Sequence, residues 1–318
     1  MKHLFLAYKL FDDLLNHQPM MTGCYQWLRV FNSDAKNWKE LEHTKAELEK
    51  YDVIQINGDP IDLRLVSEVR NILGTHSSTK IVVNHDHAPE LWDSTFPIVQ
   101  DMKHYMNLAD RVFATSEPAR DLLELILKKE IPLIPHPCET DLLKRFDSTN
   151  KQDFIIYFWH RYDMQMLMPY FVTEDLGLPV MVGGYLESND PNKKIFRNTF
   201  NWDVLSYLNF PDFIKLIKEA KVGYDPFFSY SYGRIACDTA ALGLPIVCSN
   251  MNYSAKICYP ETSVNPYEVK KSRELLKRLI SDNEFRERVI KTASEKVEFF
   301  NHKNSRMRFL KMLECQKK

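Results

Sequence analysis

Residues 229–250, SYSYGRIACDTAALGLPIVCSN, decide how the rest of the chain is read. The stretch predicts a loop opening onto a helix, a tight turn at Gly243-Leu244-Pro245, and a strand through Ile246, Val247 and Cys248. Ser229 and Ser231 are N-capping residue types, and Gly233 leaves room for another group to approach the backbone. The first N–H groups of a helix have no intrahelical partner and carry partial positive charge, so this end suits a phosphate. Arg234 adds a full charge and a donor fork beside it, and Asp238 supplies a carboxylate able to accept hydrogen bonds from two sugar hydroxyls. The arrangement is nucleotide-shaped. A plain βαβ core helix is the competing reading, and the Gly-x-Pro turn alone would suit it.

At these residues the chain resembles the sugar-nucleotide glycosyltransferases that include family four, which have two facing Rossmann-like domains. That family reads Glu, seven residues, Glu, then Ala-Met-Ala-x-Gly-x-Pro-Val. Asp238 stands at the second Glu, Ala241, Gly243, Pro245 and Ile246 match the residues after it, and Tyr230 takes the place of the first Glu. The resemblance implies that Asp238 meets the nucleotide ribose and that the segment Tyr230, Ser231, Tyr232, Gly233 and Arg234 lies against the donor. It also implies an α/β fold with parallel sheets and a last helix that crosses back to the first domain.

Size and composition agree with two domains. At 318 residues the chain exceeds what one core usually serves, and 44% hydrophobic with 27% charged residues describes an ordinary globular protein. The expected domains are residues 1–150, on the acceptor side, and 151–318, on the donor side. A net charge of −1 gives no overall attraction to nucleic acid or an anionic bilayer. From Glu268 onward, however, fifteen Lys and Arg stand against eight Asp and Glu, which makes a basic C-terminal region. The six cysteines form no Cys-x-x-Cys pair, residues 1–10 are too short and polar for a signal peptide, and no apolar run has transmembrane length. The expected location is the cytoplasm, with membrane-surface association as a further option.

In the first half, apolar runs at His3–Ala7, Tyr51–Asn57, Lys80–Asn84 and Arg111–Thr115 predict strands. Helical stretches are expected at Tyr25–Phe31, Trp38–Lys50, as an exposed helix, Ile61–Leu73, and from Ser116, as a cap, to about Lys129. The alternation argues for a parallel sheet covered on both faces. Gly23, after the first strand, lies where the family has a flexible glycine loop. His85-Asp86-His87 follow a strand directly, and open α/β sheets place ligands at such ends. His85 and Asp86 are assigned to a sugar or acceptor hydroxyl, with His87 in reserve. The family closes its first domain with Pro-Asn-Gly-Val-Asp; this chain has Pro135-His136-Pro137-Cys138-Glu139-Thr140-Asp141.

In the second half, Phe154–Trp159 starts a new core, with Arg161 after it, where the family has a diphosphate-binding Arg. The family's following Lys is missing, since Asp163, Met164, Gln165 and Met166 come next, and Arg234 is the candidate replacement. Pro179–Val182 and Val222–Pro226 predict further strands, Phe210–Ala220 an amphipathic helix, Asn252–Pro266 a loop, and Tyr267–Lys318 a largely helical end. Phe299, Phe300, Phe309 and Leu310 are the expected docking surface of the last helix, while Arg306, Arg308 and Lys311 face solvent, an acidic acceptor or lipid headgroups.

The resemblance implies transfer of a sugar from a nucleotide sugar to a glycan or lipid hydroxyl, with retention of configuration and no cofactor. No Asp-x-Asp triplet is present to bind a divalent ion, so no metal is expected and the departing diphosphate would rest on helix N–H groups and guanidinium ions. Three alternatives stay open: a transferase acting on hydroxymethylated DNA, which the basic end would serve, a sugar-nucleotide epimerase, and a catalytically silent nucleotide-sugar-binding subunit, which Tyr230 and the missing Lys favour.

Overall fold

The computed structural model describes residues 1–10, 23, 26–59, 62–86, 99–146, 151–159, 167–184, 192–205 and 208–314. The chain forms two compact units, one of Met1–Cys138, Tyr230–Tyr232 and Phe300–Lys318, the other of Glu139–Ser229 and Gly233–Phe299. Both are α/β, each built on a sheet whose described pairings are all parallel.

In the first unit the strands are β1 (His3–Ala7), β2 (Asp34–Asn37), β3 (Val53–Asn57), β4 (Lys80–His85) and β5 (Arg111–Ala114), in the order β2-β1-β3-β4-β5. Runs such as Ile81, Val82 and Val83 are wholly buried, as expected for a sheet covered on both faces. Polar strand residues then need partners inside. Gln55 accepts from or donates to its neighbours in a ladder across the sheet: His3 Nε2 lies 3.1 Å from Gln55 Oε1, Gln55 Nε2 donates to Asn84 Oδ1 at 2.8 Å, and Asn84 Nδ2 donates to Asn57 Oδ1 at 2.8 Å. Burial holds His3 down to about 3, outweighing the opposing effect of its bond to Gln55, so the ring is uncharged at neutral pH.

The last helix, His302–Glu314, belongs to this unit and crosses back as the resemblance implied. Phe309 and Met312 pack into one core with Trp27, Val53, Val82 and Phe113, each such buried side chain contributing about 1.5–3 kcal/mol. Arg111 Nε donates to the Met312 carbonyl at 3.1 Å, satisfying an orphan acceptor at the helix end. Of the expected docking residues, Phe300 and Phe309 are fully buried, Leu310 is half-buried, and Phe299 is exposed and counts with the other unit.

The second unit carries β6 (Ile155–Trp159), β7 (Val180–Gly184), β8 (Asp203–Val204), β9 (Val222–Asp225), β10 (Ile246–Ser249) and β11 (Ser263–Val264), in the order β11-β10-β9-β6-β7-β8. Counted from β6, this is the 3-2-1-4-5-6 order of the doubly wound dinucleotide-binding fold, and strand order reverses between β6 and β9. Ligands of such sheets bind outside the strand C-termini at that reversal.

Three local expectations need correction. Trp38–Lys50 is not one exposed helix but a 3-10 turn, Trp38–Glu40, and a short helix, Lys45–Leu48, preceded by the unforeseen edge strand β2. Glu40 folds back onto Asn37, His43 turns the chain at φ 53° with its ring stacked on Trp38, and Trp38, Leu41 and Leu48 are buried. Asn252–Pro266 is not a loop throughout, since Tyr253–Cys258 is helical and Ser263–Val264 is β11, tied in by Tyr259 Oη donating to the Leu244 carbonyl at 2.8 Å. Ser116 occupies the N-cap of helix Glu117–Leu127 without a side-chain capping bond.

Candidate functional site

The first cluster lies in the first unit, at the C-terminal end of β4. The register pairs His85 with Ala114, which brings the next residues on each strand, Asp86 and Thr115, together. Thr115 Oγ1 lies 3.0 Å from Asp86 Oδ1 and 3.3 Å from the His85 carbonyl, which it can serve in turn as a donor. His85 is fully buried, with Nδ1 3.1 Å from the Gly58 carbonyl, to which it donates. It therefore supports the strand end from within, while Asp86, with its side chain 34% exposed, is the member that a ligand can reach. His87 lies outside the described residues.

Over Asp86 stands a residue that sequence reasoning passed by. His136, fully buried between Pro135 and Pro137, places Nε2 3.0 Å from Asp86 Oδ1, while Trp27 Nε1 donates to its Nδ1 at 3.2 Å. Indole nitrogen can only donate, so Nδ1 is the acceptor and the ring's proton sits on Nε2, facing the carboxylate. The Nε2 approach is close but off the line of an aligned hydrogen bond. Gly23 is packed against this ring: a Cβ there would come within 3.0 Å of His136 Cδ2. Tyr232 meets it edge-on, with ring centroids 5.2 Å apart. Three residues singled out from sequence, Gly23, Asp86 and Tyr232, thus converge on a fourth that was not. The available signal was His136 itself, standing where the family pattern has Asn.

The second cluster lies in the second unit, on the segment leading from β9 into helix Arg234–Leu242. β9 sits at the strand-order reversal and ends on fully buried Asp225, to which Asn252 Nδ2 donates at 3.4 Å. Gly233 takes the capping position at φ 80°, so Ser229 and Ser231 do not cap this helix. The space beside Gly233 is filled by the protein: a Cβ there would lie 2.5 Å from Asn252 Cβ and 2.9 Å from Ser254 Oγ, and Ser254 donates to the Gly233 carbonyl. The close approach that Gly233 permits is therefore made by Asn252 and Ser254. One helical turn on, Arg234 Nε donates to Asp238 Oδ1 at 2.6 Å, with side-chain exposures of 10% and 0%. Asp238 is inside the fold, held by Arg234, and not open to a ribose in this conformation. Tyr230 is exposed, Ser231 half-buried, and both count with the first unit. Arg161 lies outside the described residues. Among the described residues no group of three or more His, Cys, Asp or Glu is placed to hold a metal ion.

No family model matches the sequence, and no curated protein matches it. Solved structures do match. The structure resembles a trehalose-6-phosphate synthase, studied with bisubstrate glycomimetics for glycosyl transfer with retention, at TM-score 0.72 and 11% identity over 100% of both chains. It resembles HepE of Anabaena, solved in complex with UDP, at TM-score 0.70 and 13% identity over 98% of this chain and 99% of that one. A trehalose 6-phosphate synthase from Burkholderia multivorans matches at TM-score 0.65 and 11% identity, over 86% of this chain and 72% of that one. The chain has the fold of the two-domain GT-B glycosyltransferases.

Proposed function

We propose that this protein transfers a sugar from a nucleotide-sugar donor to a hydroxyl of a glycan or lipid acceptor, with retention of configuration. The observation that carries the reading is the strand order of the second unit, whose reversal between β6 and β9 leads directly into the glycine-capped, arginine-bearing helix Arg234–Leu242. Nucleotides bind at such reversals because helix N-termini and loop N–H groups converge there on anionic oxygens. The fold match supports it, since one matching protein was solved with UDP and another was studied for transfer with retention. In this reading the second unit takes the donor and the first unit the acceptor. Asp86, at a strand end and partly exposed, accepts a hydrogen bond from an acceptor hydroxyl. The acceptor is acidic or lies at an acidic surface, which the exposed Lys303, Arg306 and Lys311 of the last helix would meet. No described helix is long and apolar enough to cross a membrane.

A thermal-shift screen of nucleotides and nucleotide sugars tests the reading, because a ligand of the folded state raises the melting temperature according to its affinity. One nucleoside diphosphate and its sugar conjugates are expected to stand out, and the best conjugate is expected to turn over. No shift with any of them overturns the proposal.

A specific observation favours a second reading, that of a catalytically silent nucleotide-sugar-binding subunit. Tyr230 replaces the family's first Glu, and Asp238 is engaged by Arg234. Clear binding without turnover of any bound sugar nucleotide would select it.

A further inference from the structure

Asp86 alone does not account for the polar chain behind it. Trp27, on the helix Gln26–Phe31, His136, between two prolines, and Asp86, after β4, are distant in sequence yet lie in a line: Trp27 Nε1 to His136 Nδ1, 3.2 Å, and His136 Nε2 to Asp86 Oδ1, 3.0 Å. His136 is fully buried, and its Nε2 has no aligned acceptor among the described residues apart from this carboxylate, which it approaches off-axis. A buried N–H left short of a good hydrogen bond is costly and calls for an explanation. Cysteine or an apolar residue would fill the same space without it. The ring is also fixed on every side that matters: Trp27 sets which nitrogen carries the proton, Gly23 allows the ring to lie close, and Tyr232 buttresses it edge-on.

We propose that His136 is the positioning residue of the acceptor site, holding the Asp86 carboxylate in the orientation in which it receives a sugar-type hydroxyl. This rests on the glycosyl-transfer reading. Thr115 and His136 both address Oδ1, which restricts the rotation of the carboxylate. Trp27 acts one step further back, by keeping Nδ1 as an acceptor and thereby the Nε2 proton toward Asp86. The off-axis Nε2 contact aligns when a hydroxyl engages Asp86, as hydrogen bonds at such sites commonly tighten in the complex.

Two measurements on the full chain test this. The first uses the best donor from the thermal-shift screen, with water as the default acceptor, and compares turnover per folded molecule with donor affinity. His136→Phe is expected to lower turnover as much as Asp86→Asn does, with donor affinity changed less than about twofold, and the double variant is expected to be no worse than Asp86→Asn alone. His136→Gln, whose amide N–H can replace Nε2–H, is expected to recover most of the loss. Independent, multiplicative losses in the double variant, or unchanged turnover in His136→Phe, overturn the proposal. The second is the 15N spectrum of the histidine rings, which does not depend on activity. His136 is expected as the Nε2–H tautomer in the wild type and as a mixture in Trp27→Phe. An Nδ1–H tautomer in the wild type overturns the arrangement. If no donor is turned over, the glycosyl-transfer reading fails by the first measurement while the second still decides whether His136 directs its proton at Asp86.

Discussion

Two carboxylates were assigned to ligands from sequence, Asp86 in the first unit and Asp238 in the second, and the structure treats them differently. Asp86 is approached by Thr115 and His136 and keeps a third of its side chain in solvent. Asp238 is met by the guanidinium of Arg234 and is wholly buried. The difference follows from position. Asp86 is the first residue past a strand end, where the backbone leaves the sheet; Asp238 is in the second turn of a helix whose inner face carries Ala236, Cys237, Ala240 and Ala241 into the core. A charge so placed has to be neutralised inside the fold, and an arginine four residues earlier reaches it along the helix surface. The two carboxylates look alike in sequence; exposure separates them.

The largest expected effect breaks that pair. Asp238→Ala should destabilise the protein by about 3–5 kcal/mol, since it removes a fully buried carboxylate from its ion pair with the nearly buried Arg234, and urea denaturation would read it directly. Asp86→Asn, at a partly exposed position, should stay within about 1 kcal/mol of wild type in the same assay. Equal losses at the two positions would erase the distinction between them.

Function should reverse the order. Under the proposed activity Asp86→Asn removes a charged acceptor for a substrate hydroxyl, worth about 1.5–3 kcal/mol, so turnover should fall roughly tenfold to a hundredfold with donor affinity little changed. An Asp86→Asn variant with full turnover would remove Asp86 from the site and leave the strand end without a role.

Much of the fold was legible because it rests on local signals. Runs such as Lys80-Ile81-Val82-Val83-Asn84, and the Gly243-Leu244-Pro245 turn at φ 71°, declare their structure within a few residues. The edge strand β2 was not legible: Asp34-Ala35-Lys36-Asn37 is polar, and only pairing with β1 makes it a strand. The site divided the same way. Gly23, Asp86 and Tyr232 could be singled out one at a time, but their convergence on His136 joins segments far apart in the chain, which no spacing rule reports. Gly233 was read correctly as a point of close approach, yet the approaching groups, Asn252 and Ser254, come from the element after β10 and could not be named in advance.

The smallest expected effect sharpens the contrast between uncharged and charged polar groups, and it concerns pH. Besides His3, the first unit buries Asp62, which accepts from the Tyr8 N–H at 2.7 Å; burial first, and then the neighbouring Asp59, push its carboxyl up to about 7. The two groups work in opposite directions. His3 is held below its ordinary value of 6.5, so its contribution to stability is present above pH 6.5 and is lost as pH falls toward about 3. Asp62 is raised above its ordinary value of 3.8, so its contribution is present below about pH 4 and is lost as pH rises through about 7. Between pH 4 and 6.5 the unfolded chain holds the extra proton at His3 and the folded chain holds it at Asp62, and the two slopes oppose one another. Removing either group exposes the other. Relative to wild type, Asp62→Asn should gain stability as pH rises from 4 to 8, and His3→Gln should gain it as pH falls from 6.5 to 4, each by on the order of 1–2 kcal/mol over its range after relaxation of the site. Urea midpoints across that range measure both, and the difference from wild type cancels every other titrating group. If both difference curves are flat, these buried groups are solvated more than the structure shows, and the first unit would owe its stability to its apolar layers alone.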